Sequence, residues 1–142
     1  MIREAEARDR DALEALYRLL MPDDDRIQVV EERIEQIRRD ANNFIFVSER
    51  ENRVLGTALL HLCLDPMYGW RPFAVIENVI VDPQAQAGGV GRELLVHIEE
   101  RCREAQCTEI LIMSSLHRTE AHRFFEKLGF RQVAKGFKKY IP

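Results

Sequence analysis

Ala12, Leu13, Leu16, Tyr17 and Leu20 recur at the three-and-four spacing of a helix face, with Asp9 or Asp11 at the start, so the pattern predicts an amphipathic helix over 9–20. Met21-Pro22 ends it. Ile27, Val30, Ile34 and Ile37 repeat the spacing among charges, which predicts a second helix with Asp23-Asp24-Asp25 as its capped start. Phe44 to Val47 and Val54 to Leu60 are apolar runs separated by the polar stretch Ser48 to Arg53, the pattern of a β-hairpin. Residues 65–72 are dense in turn formers and carry Tyr68 and Trp70, so a loop is expected, with a substrate lid and a plain aromatic anchor both open. Phe73 to Val81 then reads as a strand. Val90, Leu94, Leu95, Ile98 and Cys102 mark one face of a helix from Gly89 to about Ala105, followed by a short apolar strand over Glu109 to Met113. Thr119 to Leu128 predicts a helix closed by Gly129, and Phe130 to Ile141 one or two terminal strands. With an opening strand, the order is β-α-α-β-β-β-α-β-α-β, with a further strand optional. That order specifies an α/β (α+β) fold, a mixed sheet with helices on both faces.

Composition narrows the class. The 142 residues, 46% hydrophobic and 32% charged, suit one folded domain over 1–142 with a sizeable core. A net charge of −3 gives no general nucleic-acid surface. From Arg118 onward, seven basic residues face only Glu120 and Glu126, which fits a small anionic ligand or a solvated basic face equally well. Cys63, Cys102 and Cys107 form no CxxC pair and so indicate neither a disulfide framework nor a metal site, and a reducing cytoplasm is expected. The charged N-terminus lacks the apolar core of a signal peptide, and no long apolar run suggests a membrane span.

The most informative stretch runs from Val79-Ile80-Val81-Asp82-Pro83 through Gln84-Ala85-Gln86-Ala87-Gly88-Gly89-Val90-Gly91-Arg92, a strand, a turn and a helix start in succession. Glycines let a ligand approach the backbone, and the free amides of a first helical turn suit a phosphate or pyrophosphate. The third glycine of GxGxxG and the GK[ST] ending of a P-loop are both missing, which disfavours dinucleotide and nucleoside triphosphate sites. Anion binding and a tight packing turn remain open on the glycines alone.

Gln86-x-x-Gly89-x-Gly91 after an apolar strand and Asp82-Pro83 resembles the acetyl-CoA signature of the GNAT superfamily of N-acetyltransferases. Glu120 to Phe130, a helix ending in a glycine-aromatic pair, resembles that family's later motif, and the element order fits along the chain. The resemblance implies a mostly antiparallel GNAT-like sheet. It also implies that Val79, Ile80 and Val81 pair with the pantetheine arm as an added strand, while the amides of Ala87, Gly88, Gly89, Val90, Gly91 and Arg92, beside Gln86, hold the pyrophosphate. Gly88 stands where the family usually carries a basic residue. Acetyl-CoA is the implied cosubstrate, with no metal.

Attack on a thioester needs a neutral amine, hence a base. Glu77, in the otherwise apolar strand before the signature, is the candidate, because burial would raise its basicity and the family often places a carboxylate there; a solvent-facing or arginine-paired strand residue is the alternative. Phe125 stands where the family often has a tyrosine that protonates the leaving thiolate, so that role does not carry over; Tyr140 or water are substitutes. Ala121-His122-Arg123-Phe124 is similar to members that acetylate small amines, including aminoalkylphosphonates, although packing or capping suits His122 better. The expected activity is acetyl transfer to a primary amine, of a small molecule first, by direct attack. The alternatives are a protein lysine or N-terminus as acceptor, a non-catalytic acyl-CoA-binding module, and a structural interaction domain. The resemblance leaves a homodimer open.

Overall fold

The computed structural model describes residues 1–142. The chain divides into two compact units, Met1–Leu111 and Ile112–Pro142. The first carries β1 (Ile2–Glu4), α1 (Arg10–Leu20), α2 (Glu31–Arg38), β2 (Asn43–Arg50), β3 (Arg53–Cys63), β4 (Phe73–Val81) and α3 (Val90–Glu104); β5 (Ile110–Ile112) spans the division and α4 (Thr119–Lys127) lies in the second. The sheet order is β1-β2-β3-β4-β5, with β1/β2, β2/β3 and β3/β4 all antiparallel. Beside β4 the bonds Thr108 N–H to Pro72 O and Ala74 N–H to Glu109 O advance in the same direction, the parallel sense that makes the sheet mixed.

Alternation along the strands sends two sets of side chains to opposite faces. Ile45 and Val47 form a core with Leu13 of α1 and Ile34 of α2, against which Tyr17, Ile37 and Leu59 pack. On the other face Phe46 meets His97 of α3 edge-on, with ring centroids 4.9 Å apart. A Cβ built on Gly56 of β3 would stand 2.9 Å from Val90 Cγ1 and 3.2 Å from Leu94 Cδ1, so the missing side chain is what lets the start of α3 lie on the sheet.

Three local expectations change. The hairpin strands run much further than the apolar runs, to a two-residue turn in which Glu51 and Asn52 take φ of 51° and 62°, the primed turn that matches strand twist. The aspartate run does not start the second helix, which begins at Glu31. Asp24 instead accepts from the Arg26 backbone and guanidinium, and Val29 is tied to the first helix, where Glu14 accepts from Val29 N–H and Arg10 donates to Val29 O. The expected strands over Phe130 to Ile141 are absent: that segment pairs with no strand, and Val133, Phe137, Tyr140 and Ile141 stand exposed. Extended apolar sequence becomes a strand only where an edge receives it.

Candidate active site

Glu77 sits one residue before an irregularity in β4. Thr57 pairs with Ile80 and Leu59 with Glu77, so two steps along β3 are matched by three along β4. The extra residue is a bulge at Asn78, which takes φ of 54°, a left-handed conformation that asparagine tolerates better than most residues. β5 has three residues against the nine of β4, so Val79, Ile80 and Val81 run on past it with an outer edge no strand covers. An uncovered edge is what an extended ligand chain needs in order to pair as a further strand.

The turn that follows is a 3-10 segment, Pro83–Gly88, opened by the Asp82 carboxylate, which accepts from Gln84 N–H at 2.9 Å. Gln86, Ala87 and Gly88 lie on this exposed segment, and Gly89, at φ 76°, caps α3. The first in-helix bond is from Glu93 N–H to Gly89 O, which turns the amides of Val90, Gly91 and Arg92 out of the helix end. These are the donors a pyrophosphate would use, at the positive end of a 15-residue helix dipole. The uncovered edge and the outward-facing amides have the hydrogen-bonding character that the two halves of a CoA-type ligand call for.

Two partners of this site lie outside the motifs. Arg50, at the end of β2, donates from Nη1 to Gly88 O at 2.9 Å and from Nη2 to Glu93 Oε1 at 2.6 Å. It brings a cation to the turn at the very residue where the sequence lacks one. His61 of β3 places Nε2 3.5 Å from Glu77 Oε2 and Nδ1 2.6 Å from Asn43 Oδ1. The register explains the meeting: Asn43 is opposite His61 and Leu59 is opposite Glu77, so all project from the α1–α2 face. The expectation that Glu77 is buried does not hold, since its side chain is 41% exposed and its neighbour is an imidazole. No group of three or more His, Cys, Asp or Glu side chains is close enough to hold a metal ion.

In the second unit Phe125 is 6% exposed, packed against Phe124 and Phe130 with centroids 5.7 and 6.3 Å away. His122 places Nε2 3.0 Å from Ser115 O, tying its helix to the preceding turn. A cavity of about 470 Å³ lined by Arg71, Arg103, Gln106 and Cys107 contains none of the residues above.

Residues 10–130 match the Acetyltransferase (GNAT) family. The glucosamine 6-phosphate N-acetyltransferase of Trypanosoma brucei brucei is 32% identical over 87 residues, 61% of this chain, and the chain spans 57% of that relative's length. The aminoglycoside N(6')-acetyltransferase type 1 of Stenotrophomonas maltophilia is 30% identical over 138 residues, covering 94% of this chain and 88% of that one. A solved protein of Agrobacterium tumefaciens superposes with a TM-score of 0.90 at 27% identity over 99% of both chains. With the matched region running through the β4 bulge, the glycine turn and the start of α3, the chain belongs to the GNAT family of acetyltransferases, whose acetyl donor is acetyl-CoA.

Proposed function

We propose that residues 1–142 act as one N-acetyltransferase domain that moves the acetyl group of acetyl-CoA to the primary amine of a small molecule. The observation that carries this reading is the adjacency of a carboxylate, Glu77, and an uncovered strand edge, Val79–Val81, across a single bulge residue. A thioester laid along that edge presents its carbonyl to backbone amides able to stabilise an oxyanion, with a carboxylate nearby to help remove the amine's proton. The amides of 87–92 and Arg50 would hold the pyrophosphate.

The acceptor class rests on the relatives. The proteins named glucosamine 6-phosphate, aminoglycoside and mycothiol acetyltransferase, and one of Salmonella typhimurium named aminoalkylphosphonate N-acetyltransferase, 25% identical over 141 residues, point to small hydrophilic amines. The compartment proposed is the cytoplasm, supported by three free thiols and no disulfide. No helix is long and apolar enough to cross a membrane. The assembly proposed is a homodimer, supported by the exposed apolar residues of 130–142, of which Phe137 is 92% exposed.

Thiol release from acetyl-CoA with an amine panel of glucosamine 6-phosphate, 2-aminoethylphosphonate and an aminoglycoside tests the reading. Wild type should turn over at least one amine, and Glu77→Gln should lower that rate by about 10²-fold at neutral pH, with less loss at high pH where free amine is abundant. Equal activity of Glu77→Gln across the pH range would remove Glu77 from the chemistry.

A further inference from the structure

The hydrogen bonds around His61 specify which ring nitrogen carries its hydrogen. Asn43 Oδ1 lies 2.6 Å from Nδ1, and an amide oxygen only accepts, so Nδ1 is the protonated nitrogen. The Asp40 carboxylate, which only accepts, interacts with the Asn43 side chain and so favours the amide nitrogen on its own side, leaving Oδ1 for His61. Asp40 is held below the ordinary carboxylate range first by Asn42 N–H, at 2.7 Å, and then by the Asn43 side chain, so it stays an acceptor. The neutral ring is therefore left with its lone pair on Nε2, and Nε2 faces Glu77 Oε2 at 3.5 Å. A lone pair gains nothing from a carboxylate at that distance, whereas a proton arriving on Nε2 creates an imidazolium beside its counter-ion.

We propose that His61 Nε2 is the proton acceptor of the acetyl transfer, with Glu77 stabilising the imidazolium and Asp40–Asn43 fixing the tautomer. This deepens, and rests on, the assignment of acetyl transfer to the Glu77 strand. An acceptor ammonium gives one proton to Nε2, directly or through water, and becomes a neutral amine. Its nitrogen then forms the C–N bond at the thioester carbon. The C–S bond breaks, the second nitrogen proton passes through water to the departing sulfur, and the imidazolium returns its proton to solvent. The chain Asp40–Asn43–His61–Glu77 draws on the loop before β2 and on three adjacent strands, and no motif contains it.

Two further titratable groups flank His61, a thiol and a phenol. On the strand itself Cys63 Sγ lies 4.0 Å from the His61 carbonyl, and burial pushes that thiol up. From α1 on the same face comes Tyr17, which burial pushes up to about 12. Neither ionises where imidazole does.

Nitrogen-detected NMR of the full chain, with His61→Gln identifying the signal, reads the tautomer without any substrate. The neutral ring should be the Nδ1–H form, and Asn43→Ala should move it towards Nε2–H. An Nε2–H tautomer in wild type overturns the proposal. In kinetics with glucosamine 6-phosphate or 2-aminoethylphosphonate, His61→Gln should lower kcat by about 10²-fold, flatten the acid limb of the pH profile and leave the KM for acetyl-CoA within twofold. Asn43→Ala should lower kcat about tenfold. Full activity of His61→Gln with loss in Glu77→Gln overturns the His61 role and leaves the Glu77 assignment standing, while full activity of both overturns the assignment itself.

Discussion

Arg50 Nη1 donates to the carbonyl oxygen of Gly88 at 2.9 Å, and a Cβ built on Gly88 would stand 3.0 Å from that same nitrogen. The glycine that departs from the family's basic position is thus the residue against which a distant arginine packs. The cation is supplied from the end of β2, and the same arginine also binds Glu93 at 2.6 Å. Arg50→Ala should weaken acetyl-CoA binding about tenfold by calorimetry, equivalent to about 1.4 kcal/mol. Glu93→Gln releases the arginine from a competing carboxylate and removes negative charge beside the Val90–Arg92 amides, so it should tighten binding a few-fold. Unchanged affinity in both variants would deny Arg50 any part in holding the ligand.

Gly89→Glu tests the turn itself. Nothing lies within 4 Å of a Cβ at this position, so no steric clash is expected. The φ of 76° strains any side chain there by about 1 kcal/mol, and the carboxylate stands at the helix end where the pyrophosphate should sit. The variant should fold and lose acetyl-CoA affinity by more than tenfold. A folded variant that binds as wild type does would place the pyrophosphate elsewhere.

Gly56 fixes where α3 begins. Gly56→Val keeps good strand propensity but drives a branched side chain into Val90 and Leu94, overpacking that costs about 2 kcal/mol. Thermal unfolding should start roughly 6 °C lower. Because the displaced element carries the Val90–Arg92 amides, acetyl-CoA affinity should fall as well, whereas an unchanged Tm would mean that the helix start is not held by this contact.

These residues mark how far the sequence was readable. The strand, turn and helix start were legible because their pattern is contiguous: an apolar strand, then Asp-Pro and clustered glycines. The contacts of Arg50 and His61 were not, since each joins residues far apart in sequence, Arg50 from 38 residues before Gly88. The Asn78 bulge was also hidden, because no local pattern announces one extra residue in a continuous apolar run. At Asp23–Asp25 the helix-capping pattern misled, as an aspartate satisfies a turn as readily as a helix start. Over Phe130 to Ile141 the strand pattern predicted pairing without any means of knowing whether an edge would be there.

The Arg3–Asp9 pair gives a pH signature. Arg3 donates to both Asp9 oxygens at 2.8 and 2.9 Å, and Glu6 N–H adds a third bond at 2.7 Å. Burial pushes the Asp9 carboxyl up, but the Arg3 guanidinium and the Glu6 amide outweigh it and hold the folded value below the ordinary range. A folded pKa below the unfolded one means that the contribution is complete above about pH 4 and is lost as pH falls through the folded value. Asp9→Asn should cost about 3 kcal/mol in urea unfolding at pH 7 and progressively less between pH 4 and pH 2. A penalty that is equally large at pH 2 would assign the effect to packing.

Phe125 decides whether transfer needs a protein acid for the leaving sulfur. The residue is 6% exposed and packed by Phe124 and Phe130, so its side chain serves the second unit's aromatic cluster. A thiol with a pKa of about 8.5 is already a competent leaving group, so wild type should turn over without a hydroxyl at this position. Phe125→Tyr inserts that hydroxyl into an apolar cluster, which costs about 1–3 kcal/mol if it finds no partner. Tm should therefore fall while kcat changes by less than tenfold, a change in barrier under about 1.4 kcal/mol. Suppose instead that wild type binds acetyl-CoA, acetylates nothing in the amine panel, and gains turnover only as Phe125→Tyr. The chain as it stands would then be an acyl-CoA-binding module, and the absent hydroxyl at 125 would be the reason.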